Sequence, residues 1–300
     1  MSVVSPSTAP CTICKARAWI TAYEGPIRDG TFGRERPGCI IRCQNCGVEV
    51  LNAPRLTTEE YYGDGTYRAD VGEAADAEDY FTHHDHEQFP RLSLLERVPI
   101  RGKVVADVGS GGGSFLDAVR GYASRTVAIE PTRAYHQSLT ARGHAVYSDA
   151  DSARADWLAR VDIVVCFSVI EHVEDPVGLL KSIRALLAPG GIALISTPNR
   201  DDVLLGFECE AYRKFFYRVV HLYYFNKSSL VTAVGEAGFG SAEVLHRHRF
   251  PFGNFIGWLR DGRPSGTHNQ TVLGHSFDRA WVMALEEKGC ADYLYACLRP

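Results

Sequence analysis

The 300-residue chain contains no apolar run long enough to cross a bilayer and no internal repeat or low-complexity tract. Its opening, MSVVSPSTAP, lacks the charged start and apolar core of a secretory signal. Charge of neither sign dominates: 32 Lys and Arg face 36 Asp and Glu, for a net charge of −4. That balance leaves no electrostatic footprint for nucleic acid or an anionic membrane. These absences together lead to the expectation of a cytoplasmic protein with neither kind of partner. What remains is ordinary for a globular chain, 45% hydrophobic and 23% charged. The length suits one sizeable α/β domain with a small accessory module.

The nine cysteines are unevenly spread, and five fall between Cys11 and Cys46. Cys11-x-x-Cys14 and Cys43-x-x-Cys46 have the spacing by which two knuckles bring four thiolates around one Zn²⁺. Gly47 suits the turn after the second pair. In a chain with no export signal, such pairs favour metal over disulfides. Residues 11–54 also hold too little apolar material for a core of their own, so a structural metal is expected there. Four protein ligands leave it no open position and no chemistry. The intervening segment is longer than in usual zinc ribbons, and Cys39 could replace Cys43 or Cys46. Cys166, Cys209, Cys290 and Cys297 stand singly and read as small buried hydrophobes.

Residues 1–10, rich in Ser, Pro and Thr, read as a disordered tail. Residues 55–98 read as connector or lid helices ending in a helix over roughly 84–97. Tyr61, Tyr62, Tyr67 and Tyr80 within this stretch could close over a substrate or pack into a core. His83-His84-Asp85-His86-Glu87 offers metal-binding residue types, but neighbours at a helix start point apart, so a solvated or lid helix is expected. From Lys103 onward, short apolar runs alternate with helical patterns. Strands are expected at 104–108, 126–130, 144–147, 161–167 and 191–196. Helices are expected over 114–123 and 132–142, and from the Asp175-Pro176 cap to Pro189-Gly190-Gly191. The alternation predicts an α/β fold with a parallel sheet covered on both faces. Ligands of such sheets bind beyond the carboxyl ends of the strands.

The first strand closes on Asp107-Val108-Gly109-Ser110-Gly111-Gly112-Gly113, a turn in which glycines let the backbone approach a ligand. Glu130 ends the second strand, where a carboxylate can accept hydrogen bonds from both hydroxyls of a ribose. A nicotinamide cofactor would use a related loop, but its fingerprint wants glycine where Ser114 stands. The turn, Glu130, Ile170-Glu171-His172-Val173-Glu174-Asp175-Pro176, Leu187-Ala188-Pro189-Gly190-Gly191 and Ser196-Thr197-Pro198-Asn199-Arg200 together resemble class I S-adenosylmethionine (SAM)-dependent methyltransferases. The ubiquinone-biosynthesis O-methyltransferase branch is especially similar, over roughly residues 100–240. The resemblance implies a Rossmann-like, seven-stranded, mostly parallel sheet over residues 99–300, with a capping segment near 200–230 and an insertion near 252–290. It implies SAM as cofactor, with Gly109, Gly111 and Gly113 backing onto the methionine part and Glu130 holding the ribose. Asp149 would meet the adenine amine, with Asp107, Ala150 and Phe167 completing the cofactor set.

The zinc knuckles, followed by Val50-Leu51-Asn52-Ala53-Pro54-Arg55 and Tyr61-Tyr62, resemble a bacterial group of zinc-containing methyltransferases. Many members of that group act on sugars, glycans or natural products. Its nucleotide-sugar C-methyltransferases carry a Glu-His-Leu-x-Tyr-Phe segment, which here reads Val220-His221-Leu222-Tyr223-Tyr224-Phe225. Loss of the acid at Val220 speaks against sugar C-methylation. The reading is therefore an O-methyltransferase of a small polar metabolite, sugar or natural product, with N-methylation as the nearest rival. Positioning supplies much of such a reaction, and a base assists a hydroxyl acceptor. His172 and His221 are the candidates, with His172 slightly favoured. Glu171 reads as a structural or cofactor-side acid.

Overall fold

In the computed structural model, residues 9–52, 59–70, 72, 76–96, 98–265 and 271–300 are described. Most of the expected tail, Ala53-Pro54-Arg55 of the module's signature and residues 266–270 of the insertion lie outside them.

Strands β1 (Trp19–Arg28), β2 (Glu35–Cys43) and β3 (Glu49–Leu51) form an antiparallel meander. The main sheet is built from β4 (Val104–Val108), β5 (Arg125–Ile129), β6 (Ala145–Tyr147), β7 (Val161–Phe167) and β8 (Leu187–Pro198). After β8 the chain adds a two-residue strand β9 (Tyr223–Tyr224), then β10 (Ser241–Arg247) and β11 (Tyr293–Arg299). The order β10-β11-β8-β7-β4-β5-β6 makes a seven-stranded sheet, antiparallel only where β11 meets its neighbours. Val105, Ala106, Val127, Ala128, Val164 and Val165 have no exposed surface, as expected of strands covered on both faces. The chain runs outward from β4 through β5 to β6, then returns to β7 on the other side of β4. That reversal opens the crevice between the loops that follow β4 and β7.

The zinc-type module is not a separate bead. β9, from the capping segment, pairs with β3 and completes the module's sheet as its fourth strand. Buried Glu49 reinforces the join, accepting from Arg42 Nη2 at 2.7 Å within the module and from the Tyr217 hydroxyl at 2.9 Å in the cap. Arg200 approaches the same carboxylate at 3.4 Å. The insertion between β10 and β11 contains helices Phe252–Asp261 and His275–Lys288.

Local details differ from the sequence reading. The helix expected over 84–97 is instead helix Ala77–His84, a 3₁₀ turn Asp85–Glu87 and helix Gln88–Ser93. Pro90 has no N–H to continue a helix begun upstream, but fits the first turn of a new one. Helix Pro176–Leu186 begins as expected, with the Asp175 carboxylate accepting from Gly178 N at 2.9 Å. It stops three residues earlier than expected because Leu187 is taken into β8, paired with Val161. Cys166 is buried, whereas Cys209, Cys290 and Cys297 are only partly covered.

Candidate active site and thiol cluster

Cys11, Cys14, Cys43 and Cys46 converge with their sulfurs all within 4.8 Å of one another. The Cys11–Cys46 and Cys14–Cys43 pairs lie at 3.8 and 3.5 Å, too far for disulfides and all reduced. Zinc–sulfur bonds of about 2.3 Å in a tetrahedron put thiolates roughly 3.8 Å apart, so the donor set fits Zn²⁺. Lys15 and Gly47 take the left-handed backbone that folds each knuckle back on itself. Lys15 N donates to Cys11 O, and Gly47 N to Cys43 O. Cys39 stands outside the cluster, 3.9 Å from Asn52 Nδ2.

Gly109, Gly111 and Gly113 all have positive φ in the turn after β4. A side chain at Gly109 would collide with Val169, so this turn and the loop after β7 are in contact. A side chain at Gly111 would strike Tyr80, which is buried against the turn from the connector. Glu130 is also buried, and its two oxygens accept from Gly111 N at 2.7 Å and Thr132 N at 2.9 Å. Those bonds fix the carboxylate, and each oxygen keeps lone pairs for a ribose hydroxyl. Asp107 lies buried in β4, where loss of solvent pushes its carboxyl up to about 7. Phe167 closes β7, with the Arg91 guanidinium 5.1 Å over its ring. Asp149 is exposed and serves as N-cap of helix Ala150–Trp157, accepting from Ser152 N at 2.7 Å, and Ala150 is buried behind it.

The loop after β7 carries Glu171 and His172. Its Glu171 carbonyl accepts from Leu222 N at 2.8 Å and Tyr223 N at 3.1 Å, which clips the cap segment to this loop. His221 is thereby brought against His172, with ring centroids 4.7 Å apart and planes at 86°. Glu171, His172 and His221 present donor atoms within 4.8 Å of one another. The Tyr62 hydroxyl is 3.2 Å from His172 Nδ1. By contrast, both Glu171 oxygens and His221 Nδ1 are buried without a well-formed hydrogen bond among the described residues, although the Thr197 hydroxyl lies near enough to Glu171 to favour its charged form. Burial lowers the His172 pKa to about 3 and that of His221 well below the usual range, with nearby Arg218 adding to both shifts. The imidazoles are therefore neutral at neutral pH. Burial pushes the Glu171 carboxyl up to about 7.

Two carboxylate oxygens and two imidazoles could in principle hold a metal, but Arg218 Nη1 lies 3.5 Å from His221 Nε2. A guanidinium only donates, so it favours a lone pair on Nε2 and leaves the proton on Nδ1. A divalent ion would be repelled by the same guanidinium.

These groups line a cavity of about 330 Å³ enclosed by the β7 and β8 loops, the cap and the insertion. Rings from Tyr67, Phe215, Phe216, Trp258 and Tyr293 form much of its wall. The sequence reading of Glu171 as a structural or cofactor-side acid does not foresee its place in this wall, and nothing in the sequence points to Arg28 and Arg218, also in the wall. Spacing carried no signal for them, since β1 and the cap meet only in the folded chain. Among the described residues, the His83–Glu87 stretch joins no metal-type cluster; the His84 ring lies 4.3 Å from that of Tyr80 and pairs with Glu87.

A family model described as "Methyltransferase domain" matches residues 81–244. The ubiquinone biosynthesis O-methyltransferase of Thiobacillus denitrificans is 30% identical over 174 residues, covering 53% of this chain and 75% of that protein. Its counterpart in Azotobacter vinelandii is 32% identical over 117 residues, covering 36% and 50%. The chain thus spans about half the length of several of the curated relatives it matches. A SAM-dependent methyltransferase structure from Archaeoglobus fulgidus superposes with a TM-score of 0.52 at 14% identity, covering 74% of this chain and 97% of that one. A possible histamine N-methyltransferase from Thermotoga maritima gives 0.50 at 17% identity, covering 74% and 93%. At such identities the likeness speaks to fold alone, and the fold is that of the class I methyltransferases. The chain belongs to this family of SAM-dependent methyltransferases.

Proposed function

We propose that the protein binds SAM at the glycine turn and methylates a hydroxyl of a small molecule held in the cavity under the cap. When bound, SAM supplies an electron-poor methyl group whose bond to sulfur breaks as the acceptor oxygen attacks, leaving S-adenosylhomocysteine. The chain's part is to hold the acceptor, exclude water and take the hydroxyl proton. Gly109, Gly111 and Gly113 give the backbone its approach, and Glu130 would hold the ribose. Asp107, Asp149, Ala150 and Phe167 belong to the same proposed cofactor wall. Asp149 would do so from its N-cap position, with its remaining lone pairs.

The observation that carries the reading is the unpaired, buried polar set of Glu171 and His221 Nδ1 beside His172. Buried groups left without partners are costly, so a bond from His221 Nδ1–H to Glu171, formed as a ligand closes the site, would relieve a real penalty. Of the two histidines, His221 is the better acceptor candidate, because His172 Nδ1 already faces Tyr62. An Nδ1–H of His221 directed at the Glu171 carboxylate would leave Nε2 as the base once the Arg218 guanidinium, 3.5 Å from that nitrogen, turns away to the ligand, much as an acid orients a general-base histidine elsewhere. In the module, the four thiolates would hold one zinc whose contribution is to cross-link the knuckles.

The test is mass spectrometry of the protein incubated with methyl-labelled SAM and a panel of hydroxylated and amine-bearing small molecules. Label on oxygen, lost in Glu171→Gln and His221→Asn, supports the reading. Label confined to nitrogen or carbon overturns it.

A further inference from the structure

Three arginines line the cavity, and they are not equivalent. Arg249 is matched: its Nε donates to Asp292 Oδ2 at 2.7 Å, and its backbone N–H reaches the same carboxylate at 2.9 Å. Arg28 and Arg218 make no ion pair among the described residues, and the Nε of each is buried without a partner. They are held side by side. The end of β1 bridges the cap in parallel, Arg28 to Arg218, with Arg28 N donating to Tyr217 O at 2.9 Å and Val219 N to Arg28 O at 3.0 Å. The Tyr224 hydroxyl accepts from Arg218 N at 2.7 Å and donates to Arg218 O at 3.0 Å, which pins that backbone. Arg28 lies 4.0 Å over the Phe215 ring, leaving the rim of its guanidinium open. Among the described residues, the Arg218 guanidinium approaches the neutral His221 at 3.5 Å and acts on the nearby Glu171 carboxyl without an ion pair to it. Burial and the neighbouring Arg218 bring the Arg28 pKa down to about 9, so the pair is held against its own repulsion.

Packing alone would not gather two mutually repelling, partly buried cations in an aromatic cavity, because the Phe215 face under Arg28 and the Glu171 carboxyl near Arg218 return only part of the lost solvation. A bound anion returns it, and guanidinium forks match the oxygens of a carboxylate or phosphate. We infer that Arg28 and Arg218 form an anion subsite, so that the acceptor is a ring-bearing small molecule carrying a carboxylate or phosphate. This rests on the methyl-transfer reading for its use of the cavity. Because Arg218 lies beside His221, the anionic group would sit close to the methylated hydroxyl.

The subsite is tested with the full chain saturated with S-adenosylhomocysteine, using ligand-observed NMR titrations of benzoate, phenyl phosphate and uncharged benzamide. The expected result is saturable binding of at least one anion, about tenfold or more tighter than benzamide. Arg28→Gln and Arg218→Gln should each abolish that preference while benzamide binding stays unchanged, and the Lys variants should keep part of it. The tighter of the two anions identifies the group. S-adenosylhomocysteine affinity reports folding, and where a Gln variant loses it, the Lys variant and the salt dependence of anion binding are read instead. Equal binding of benzoate, phenyl phosphate and benzamide, or a preference that survives both Gln variants, overturns the subsite. Such a result beside oxygen methylation of neutral acceptors would leave the methyl-transfer reading standing. Arg-dependent anion binding without oxygen methylation would do the reverse.

Discussion

The rings of His172 and His221, 49 positions apart in sequence, meet edge to face at 4.7 Å beneath the cap. Neither can be protonated cheaply there, so both enter the neutral pH range as free imidazoles. Beside them burial raises the Glu171 pKa to about 7, and that of Asp202, elsewhere in the cavity wall, to about the same value. If the Glu171 carboxylate orients His221, methyl transfer should rise with pH through about 7 and level off above. Glu171→Gln should lose that limb and about two orders of magnitude of rate, with SAM affinity little changed. Rate profiles from pH 5.5 to 8.5 check this.

The same burial makes stability depend on pH in opposing ways. His172 ionises near 6.5 when unfolded and near 3 when folded. Between those values the unfolded chain binds the extra proton, so stability is full above pH 6.5 and falls as acid is added. His172→Asn should therefore lose less melting temperature than the wild type between pH 7 and 5. Glu171 acts with the other sign, since its raised folded pKa costs stability as pH climbs from 4.5 towards 7. Glu171→Gln should be relatively more stable at pH 8 than at pH 5. Thermal melts across this range read both.

Glu130 ties the glycine turn to the end of β5 through Gly111 N and Thr132 N. Glu130→Ala should weaken S-adenosylhomocysteine binding by about 1–3 kcal/mol, through lost bonds to a charged acceptor and a looser turn. Calorimetric titration measures it, and NAD should give no comparable heat. Unchanged affinity would place the ribose elsewhere.

Because β3 pairs with β9, events at the knuckles should reach the cavity. Purified protein is expected to carry about one zinc per chain, kept in Cys39→Ser and lost in Cys11→Ser or Cys46→Ser. Removing it should lower the melting temperature by roughly 5 °C or more. It should also depress methyl transfer, since the cap that carries His221 hangs on the same sheet. Elemental analysis with parallel melts and rate assays tests this chain of effects.

The parts of the molecule legible in the sequence are those whose signal is local. The glycine turn, the valine-rich strands, the Asp175-Pro176 cap and the two Cys-x-x-Cys pairs each announce themselves within a few residues, and each takes its expected place. Pairings between distant segments were not legible. β9 is two residues long, with no strand pattern to read, and its partner lies about 170 positions earlier. Arg28 and Arg218 look like ordinary charged residues until the cap folds onto β1. Glu171 is read in the sequence from its neighbours in the motif, whereas its closeness to His221 arises only when the cap folds in. Cys39 offers a competing sulfur by spacing, and the fold leaves it outside the four-sulfur cluster, beside Asn52.

The most direct test of the account is the methyl-transfer rate of His221→Asn beside His172→Asn, each with its own S-adenosylhomocysteine affinity. Asn keeps some hydrogen bonding but removes the titratable nitrogen. For His221→Asn the rate should fall by about two to four orders of magnitude with near-normal cofactor binding. His172→Asn, which loses its Tyr62 contact but not the acceptor nitrogen, should fall less. Wild-type turnover in both variants across pH would contradict the account and leave positioning alone to drive the reaction.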